Sequence, residues 1–252
     1  MATPVFTVLI LTAAPTGMGA EAGGAFVKID GREVLLRSVE LFLNRENVKQ
    51  IAVVFDPEFL EEGRRKYGGH FGFSGVKVIG GGPKWIDQIV AGAEKIQPEA
   101  THVLIHDAAR PAVSYLDIEA IMEAAEKHPA ATLATPVRSP LVEVDEGCNA
   151  LAYHPPFQFM YLLTPQMFSR EKLSELVAKK QEFHASELSL IKGSPLNMAL
   201  RPSVSPLARS FDAIAMAMLE EKTWSPPRGP LCQSAMPLTR PCSITIQSSA
   251  IR

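Results

Sequence analysis

The chain has 252 residues, 46% of them hydrophobic, with a formal net charge of −2 and three cysteines. That length suits one α/β domain with a small appendage, and the charge balance argues against a nucleic-acid binder, because no basic block is present to offset a run of phosphates. Cys148, Cys232 and Cys242 show no CxxC spacing, so neither a zinc site nor a disulfide framework is expected and a reducing cytoplasm fits best.

The first apolar run, Val5 to Leu11, is too short to span a bilayer and lacks a basic flank, so no signal peptide or membrane anchor is expected. It is β-rich and apolar throughout, which is the pattern of a central parallel strand. It runs into Thr12-Ala13-Ala14-Pro15-Thr16-Gly17-Met18-Gly19. A loop after a first strand is a natural phosphate site, since glycines let backbone N–H groups approach an anion and small alanines leave room for a base. The plainer alternative is a flexible glycine loop with no charge chemistry. Between Glu33 and Asn44, Leu35, Leu36, Val39, Phe42 and Leu43 fall at helical spacing. Ile51 to Phe55 predicts a second strand, Pro57 to Tyr67 a charged surface helix, and Val76 to Ile79 a third strand. Gly80-Gly81-Gly82 then opens a loop before a helix from about Lys84 to Ile96. By itself Gly82 reads as a helix cap or tight turn.

The run Val103-Leu104-Ile105 leads into His106-Asp107-Ala108-Ala109-Arg110-Pro111. Asp107 thus stands just past a strand's carboxyl end, where open α/β sheets hold ligands. A carboxylate there can hold a hard cation, and Mg²⁺ in turn bridges substrate phosphates. Taken alone, the same aspartate would cap a turn before Pro111 with Arg110 as its partner. Tyr115 to Lys127 predicts a helix and Ala131 to Thr135 another strand. Strands and helices alternating over short connections predict right-handed βαβ units and a doubly wound, mainly parallel, Rossmann-like α/β sheet.

From Pro136 to about Met160 the pattern changes to Val142, Val144, Leu151 and Tyr153 alternating around Asp145-Glu146-Gly147, which suggests a hairpin. A lone hairpin is marginal and needs a surface for its apolar face. Leu163-Thr164-Pro165 reads, without other context, as a helix N-cap. Ser169 to Gln181 and Phe211 to Glu221 read as helices, and the Pro- and Ser-containing stretch from Trp224 lacks periodicity and is expected to be poorly ordered. The expected organisation is a domain over 1–222, with 139–160 as a projecting arm, and a tail over 223–252.

The hexapeptide His106 to Pro111 closely resembles the signature of the 2-C-methyl-D-erythritol 4-phosphate cytidylyltransferases and their ribitol-5-phosphate relatives, within the nucleotide-diphospho-sugar transferase superfamily. Further matches follow in order: Thr12-Ala13-Ala14 with Gly17, Gly31-Arg32-Glu33-Val34-Leu35, Gly81-Gly82 with Asp87, Pro136-Val137-Arg138, and Leu163-Thr164-Pro165-Gln166. Ala185-Ser186-Glu187-Leu188-Ser189 is a blurred version of a further family motif. The resemblance implies CTP as substrate, Mg²⁺ or another divalent cation, and a homodimer formed through the arm. It implies catalytic roles for Asp107 and Arg110, with Asp107 also the metal ligand. Nucleotide contacts fall on Ala13, Ala14, Gly17, Gly82 and Ala108, and contacts to a sugar-alcohol phosphate on Thr164 and Arg209.

The sequence departs from the family at its charged positions. A family glycine falls on Pro15, an arginine on Met18 or Gly19, and a Pro-Lys pair on Gly23-Gly24. Near Gly82, Pro83 replaces a polar or acidic residue, Trp85 an arginine and Gln88 a serine; in the arm, basic positions fall on Val142 and on Pro155 or Pro156. Preorganised cations stabilise the charge that develops at a transferred phosphoryl group. Two readings therefore stay open: a divergent cytidylyltransferase, with Lys28, Lys84, Arg32 or Arg138 rebuilding the charge, and a catalytically degenerate relative that binds a nucleotide or a protein partner.

Overall fold

The structure is a computed structural model and describes residues 3–13, 24–147, 149–180 and 185–200. Ala14 and Gly17, Arg209, the helix expected over Phe211 to Glu221 and the tail over 223–252 lie outside the described residues.

The chain opens with β1 (Phe6–Leu11), a short ribbon of β2 (Lys28–Ile29) and β3 (Arg32–Glu33), and α1 (Val34–Glu40). There follow β4 (Val48–Phe55), α2 (Pro57–Phe73), β5 (Lys77–Gly80), α3 (Trp85–Ala93), β6 (His102–Asp107), α4 (Tyr115–Glu123) and β7 (Ala130–Pro136). The arm consists of β8 (Leu141–Val144) and β9 (Ala150–His154), and β10 (Met160–Ser169), α5 (Arg170–Lys179) and β11 (Ser189–Lys192) complete the described part.

Seven strands form the main sheet in the order β11-β7-β10-β6-β1-β4-β5. β10 runs antiparallel to both of its neighbours, and the other pairings are parallel. All strands but β10 therefore end at one edge, as the alternation of elements predicts. Every residue of β1 is buried, because alternate side chains feed two cores. Phe6, Val8 and Ile10 pack with α1, α2 and α4 through Val39, Phe71 and Ile118. Leu9 and Leu11 pack with α3 and α5 through Ile89 and Leu173.

Four elements differ from expectation. α2 continues past Tyr67 to Phe73, despite Gly68, Gly69 and Gly72, because Tyr67 and Phe71 bury their rings in the core beside Phe55. Burial of two aromatic rings outweighs the cost of about 1 kcal/mol for each helical glycine. Thr164 and Pro165 lie within β10, not at a helix start. The register against β7 shifts between Leu163 and Gln166, which accommodates a proline that has no N–H to donate. The helix expected from Ser169 starts at Arg170, with the Ser169 hydroxyl accepting the Lys172 N–H at 3.2 Å as its cap. β11 pairs in parallel with β7, where the sequence offered only a blurred motif.

Candidate active site

The register of the parallel strands brings their ends level. Leu11 lies beside both Val54 and Asp107, and Val54 beside Ile79. Ala13, Gly82 and the signature after β6 consequently gather at the carboxyl edge, the ligand position of such sheets.

The signature is held by a buried hydrogen-bond network. The Asp107 N–H donates to Thr164 Oγ1 at 3.1 Å, and Thr164 Oγ1 lies 3.0 Å from His106 Nδ1. His106 Nε2 lies 3.1 Å from the Arg110 carbonyl oxygen. A carbonyl only accepts, so Nε2 carries the proton, leaving Nδ1 to accept the Thr164 hydroxyl hydrogen. This assignment needs a neutral imidazole. His106 is fully buried, and desolvation lowers its pKa from 6.5 to about 4, against a smaller opposing pull from Asp107. The edge of its ring also meets Phe42, with centroids 5.2 Å apart.

Asp107 is 1% exposed. Its Oδ1 accepts the Ala109 N–H at 2.9 Å, and its Oδ2 lies 3.5 Å from Arg110 Nε, so the turn-closing geometry is present. Arg110 donates from Nη1 to the Asn197 carbonyl at 2.7 Å, and Asn197 Nδ2 donates to the Thr164 carbonyl at 2.7 Å. The Leu200 N–H reaches the Ala109 carbonyl at 2.8 Å, and Ser38 Oγ donates to the Ala108 carbonyl at 2.8 Å. Asp107, Arg110 and Thr164 are thus brought together. His106, named in the sequence as the first residue of the signature, joins the network, and Ser38 and Asn197 complete it without having been singled out. Ala108 is present too, although buried with its N–H on the Leu11 carbonyl.

Across the sheet, Gln88 connects the loops after β1 and β5. Its Oε1 accepts the N–H groups of Thr12 and Ala13 at 3.0 and 3.1 Å, and its Nε2 donates to the Gly82 carbonyl at 3.2 Å. Gly81 and Gly82 are required by close approach to β4 and α3. A Cβ would lie 2.7 Å from Val54 Cγ1 at Gly81 and 2.4 Å from Asp87 Cβ at Gly82.

Among the described residues, the positions where the family has a cation, Gly24, Val142 and Pro155 or Pro156, carry no charge. At Gly24 a Cβ would stand 1.8 Å from the Leu200 carbonyl oxygen, so a lysine there is incompatible with the path of 197–200. Val142 is an exposed residue of β8, and Pro155 and Pro156 lead a short turn. Among the four candidate substitutes, Arg32 is turned to Glu40, while Lys28 and Lys84 are exposed on β2 and before α3. Arg138 shares a cavity of about 450 Å³ with Arg110, Thr135, Tyr161, Asn197 and Met198. No group of three or more histidine, cysteine, aspartate or glutamate residues suited to a metal occurs among the described residues. No helix among them is long and apolar enough to cross a membrane.

The chain matches the family described as "IspD: 2-C-methyl-D-erythritol 4-phosphate cytidylyltransferase" over residues 7–194. A protein of that name from Lachnospira eligens is 28% identical over 165 residues, covering 66% of this chain and 72% of its own. Another from Alteromonas mediterranea is 26% identical over 226 residues, covering 81% and 92%. In fold, the chain is similar to the crystal structure of 4-diphosphocytidyl-2C-methyl-D-erythritol synthase from Anaerococcus prevotii. The TM-score is 0.67 at 16% identity, over 86% of this chain and 97% of the other. With the family match spanning most of the chain and the signature assembled at the sheet edge, the protein belongs to the IspD family of cytidylyltransferases.

Proposed function

We propose that this protein transfers CMP from CTP to 2-C-methyl-D-erythritol 4-phosphate with release of pyrophosphate, at a turnover well below that of an ordinary enzyme. The observation that carries the reading is the joining of Asp107, Arg110 and Thr164 at the carboxyl edge, beside a cavity to which Arg138 also contributes. CTP lies against Ala13, Gly82 and Ala108, and the sugar-alcohol phosphate enters the cavity between Arg110 and Arg138. Thr164 and Arg209 are the proposed phosphate contacts, and Ala14 and Gly17 are further proposed nucleotide contacts.

A single buried carboxylate does not make a protein-only metal cage. It does fit Mg²⁺ that arrives on a nucleotide, because that ion usually takes one or two carboxylates and completes its shell with phosphates and water. Asp107 is the residue that would hold it, and the ion would neutralise charge on the triphosphate. Since Asp107 is 1% exposed and Arg110 links it to Asn197, nucleotide entry has to move the Arg110 side chain. Arg110 then becomes available to phosphate oxygens.

Binding and turnover separate in this site. Ground-state binding draws on shape and a metal held by Asp107, whereas turnover also needs cations aimed at transition-state charge. Those cations are absent at Gly24, Val142 and Pro156. The arm supports a homodimer, since Val142, Val144, Leu151 and Tyr153 are each more than half exposed. A reducing cytoplasm suits the three scattered cysteines.

The test is Asp107→Asn. Asparagine keeps an oxygen for the Ala109 N–H and removes the charge. Affinity for CTP in the presence of Mg²⁺ should fall by about tenfold or more, with little change when Mg²⁺ is withheld. Equal affinity in both proteins removes Asp107 from the site.

A further inference from the structure

α2 carries Phe59, Glu62, Gly63, Lys66 and Tyr67 at the spacing that sets them along one helical face. Together with Phe55 at the end of β4 and Phe26 at the end of the short turn Gly24–Phe26, they line a cavity of about 190 Å³. None of these residues belongs to the network around the signature. The aromatic walls meet one another: the Phe26 ring centroid lies 6.3 Å from that of Phe55 and 5.8 Å from that of Phe59, and Phe55 lies 6.2 Å from Tyr67. Gly63 leaves the middle of the helical face without a side chain, and a Cβ there would stand 2.7 Å from Phe55 Cε1.

One polar group in this lining is unmatched. Tyr67 is 3% exposed, and its hydroxyl makes no hydrogen bond of normal geometry. Lys66 and Glu33 are close enough to act on it, but they pair with each other at 2.6 Å. Burial raises the pKa of the phenol above its ordinary 10, so the hydroxyl keeps its proton at neutral pH and remains a donor. A guest that offers an acceptor relieves the cost of that buried donor. Charge narrows the choice, since Lys66 disfavours a cationic guest and Glu62, with Glu33 behind it, disfavours an anion. Size narrows it again: an apolar cavity of about 150 Å³ takes benzene, so this one takes a single ring with at most a small substituent. Aromatic walls favour a flat guest that stacks on them or meets them edge on.

We propose that this cavity is a second binding site, for an uncharged single-ring aromatic molecule carrying a hydrogen-bond acceptor, held among Phe26, Phe55 and Phe59 and bonded by the Tyr67 hydroxyl. Phe59, Glu62 and Lys66 are exposed, so the cavity is reached from the α2 side. The site stands on its own lining and does not depend on the nucleotide reading.

The experiment titrates the full chain with pyridine and with benzene above neutral pH, where pyridine is uncharged. The two probes share a shape, and only pyridine carries an acceptor. Binding is followed by NMR through the ring signals of Phe26, Phe55, Phe59 and Tyr67, with the Ala13 and Gly82 amides as reporters of the carboxyl edge. Both probes should shift the four rings saturably and leave the two amides unmoved. In Tyr67→Phe the ratio of pyridine to benzene affinity should fall by about tenfold, while thermal stability should not drop, because only an unmatched hydroxyl is removed. Phe59→Ala, which opens a wall at an exposed position, should weaken both probes by about fivefold and leave their ratio unchanged. Ring signals that do not saturate, or shifts at the Ala13 and Gly82 amides in their place, overturn the proposal. So does an unchanged ratio in Tyr67→Phe, which would make the cavity a gap that any apolar ring fills, and so does undiminished binding of both probes in Phe59→Ala.

Discussion

The signature after β6 and the arm of β8 and β9 belong to one chain, yet they differ in what they lack. Around the signature, His106, Asp107, Thr164 and Asn197 are buried and answer one another's hydrogen bonds. In the arm, β8 and β9 pair only with each other among the described residues, and Val142, Val144, Leu151, Tyr153 and Phe157 face outward. The first region is held together by hydrogen bonds within the chain. The second presents an apolar face that two strands cannot bury alone. The contrast sets a ligand edge tied by its own hydrogen bonds against an arm whose apolar face makes sense against a second surface.

The comparison breaks most sharply at His106. Replacing it with alanine removes the contact to Phe42 and leaves the Thr164 hydroxyl and the Arg110 carbonyl without the imidazole. A cavity together with buried polar groups left unmatched should cost about 3–5 kcal/mol in urea unfolding. A cost under about 1 kcal/mol would mean the network is not a unit.

Acid titration sharpens the same point. The folded-state pKa of His106 is about 4, below its ordinary 6.5. Between these values the unfolded chain binds the extra proton, so the contribution of His106 to stability is full above pH 6.5 and declines as pH falls towards 4. The loss should reach about 3 kcal/mol across that window. It should vanish from the difference between wild type and a His106→Gln variant if the histidine is not its source.

A smaller effect is expected at Gly24, where a methyl group would press on the Leu200 carbonyl. Gly24→Ala should cost about 1–3 kcal/mol, as overpacking does. Gly24→Lys restores the family's charge, but it should displace 197–200 and not raise pyrophosphate release. The smallest effect on the folded body should come from Leu151→Glu with Tyr153→Glu. Both side chains are exposed, so the stability of the single subunit should move by no more than about 0.5 kcal/mol. Sedimentation should nevertheless shift from dimer to monomer. A wild-type monomer at micromolar concentration would contradict the account of the arm.

Much of the fold was legible because it rests on periodicity and local chemistry. The buried run of β1, the short connections and the His106 to Pro111 signature each carry their meaning in adjacent residues. What stayed hidden depends on long-range pairing. Thr164-Pro165 reads locally as a helix start, but the sheet captures it as an irregular stretch of β10 beside β6. Asn197 has no periodic signal, and its role appears only when the chain after β11 returns to Arg110. Gln88 reads as a loss of the family serine, whereas folding makes it the tie between loops whose contacted residues lie 76 and 6 positions away. Proline and glycine at the cationic positions are legible as absences. The crowding of Gly24 by Leu200 is not.

The most direct test is pyrophosphate release by the wild-type protein with CTP, 2-C-methyl-D-erythritol 4-phosphate and Mg²⁺, run beside a CTP titration. The account predicts measurable CTP binding and release orders of magnitude slower than an ordinary turnover of about 10 per second. Release at that ordinary rate would contradict it, because other cations would then be supplying the charge that Gly24, Val142 and Pro156 lack.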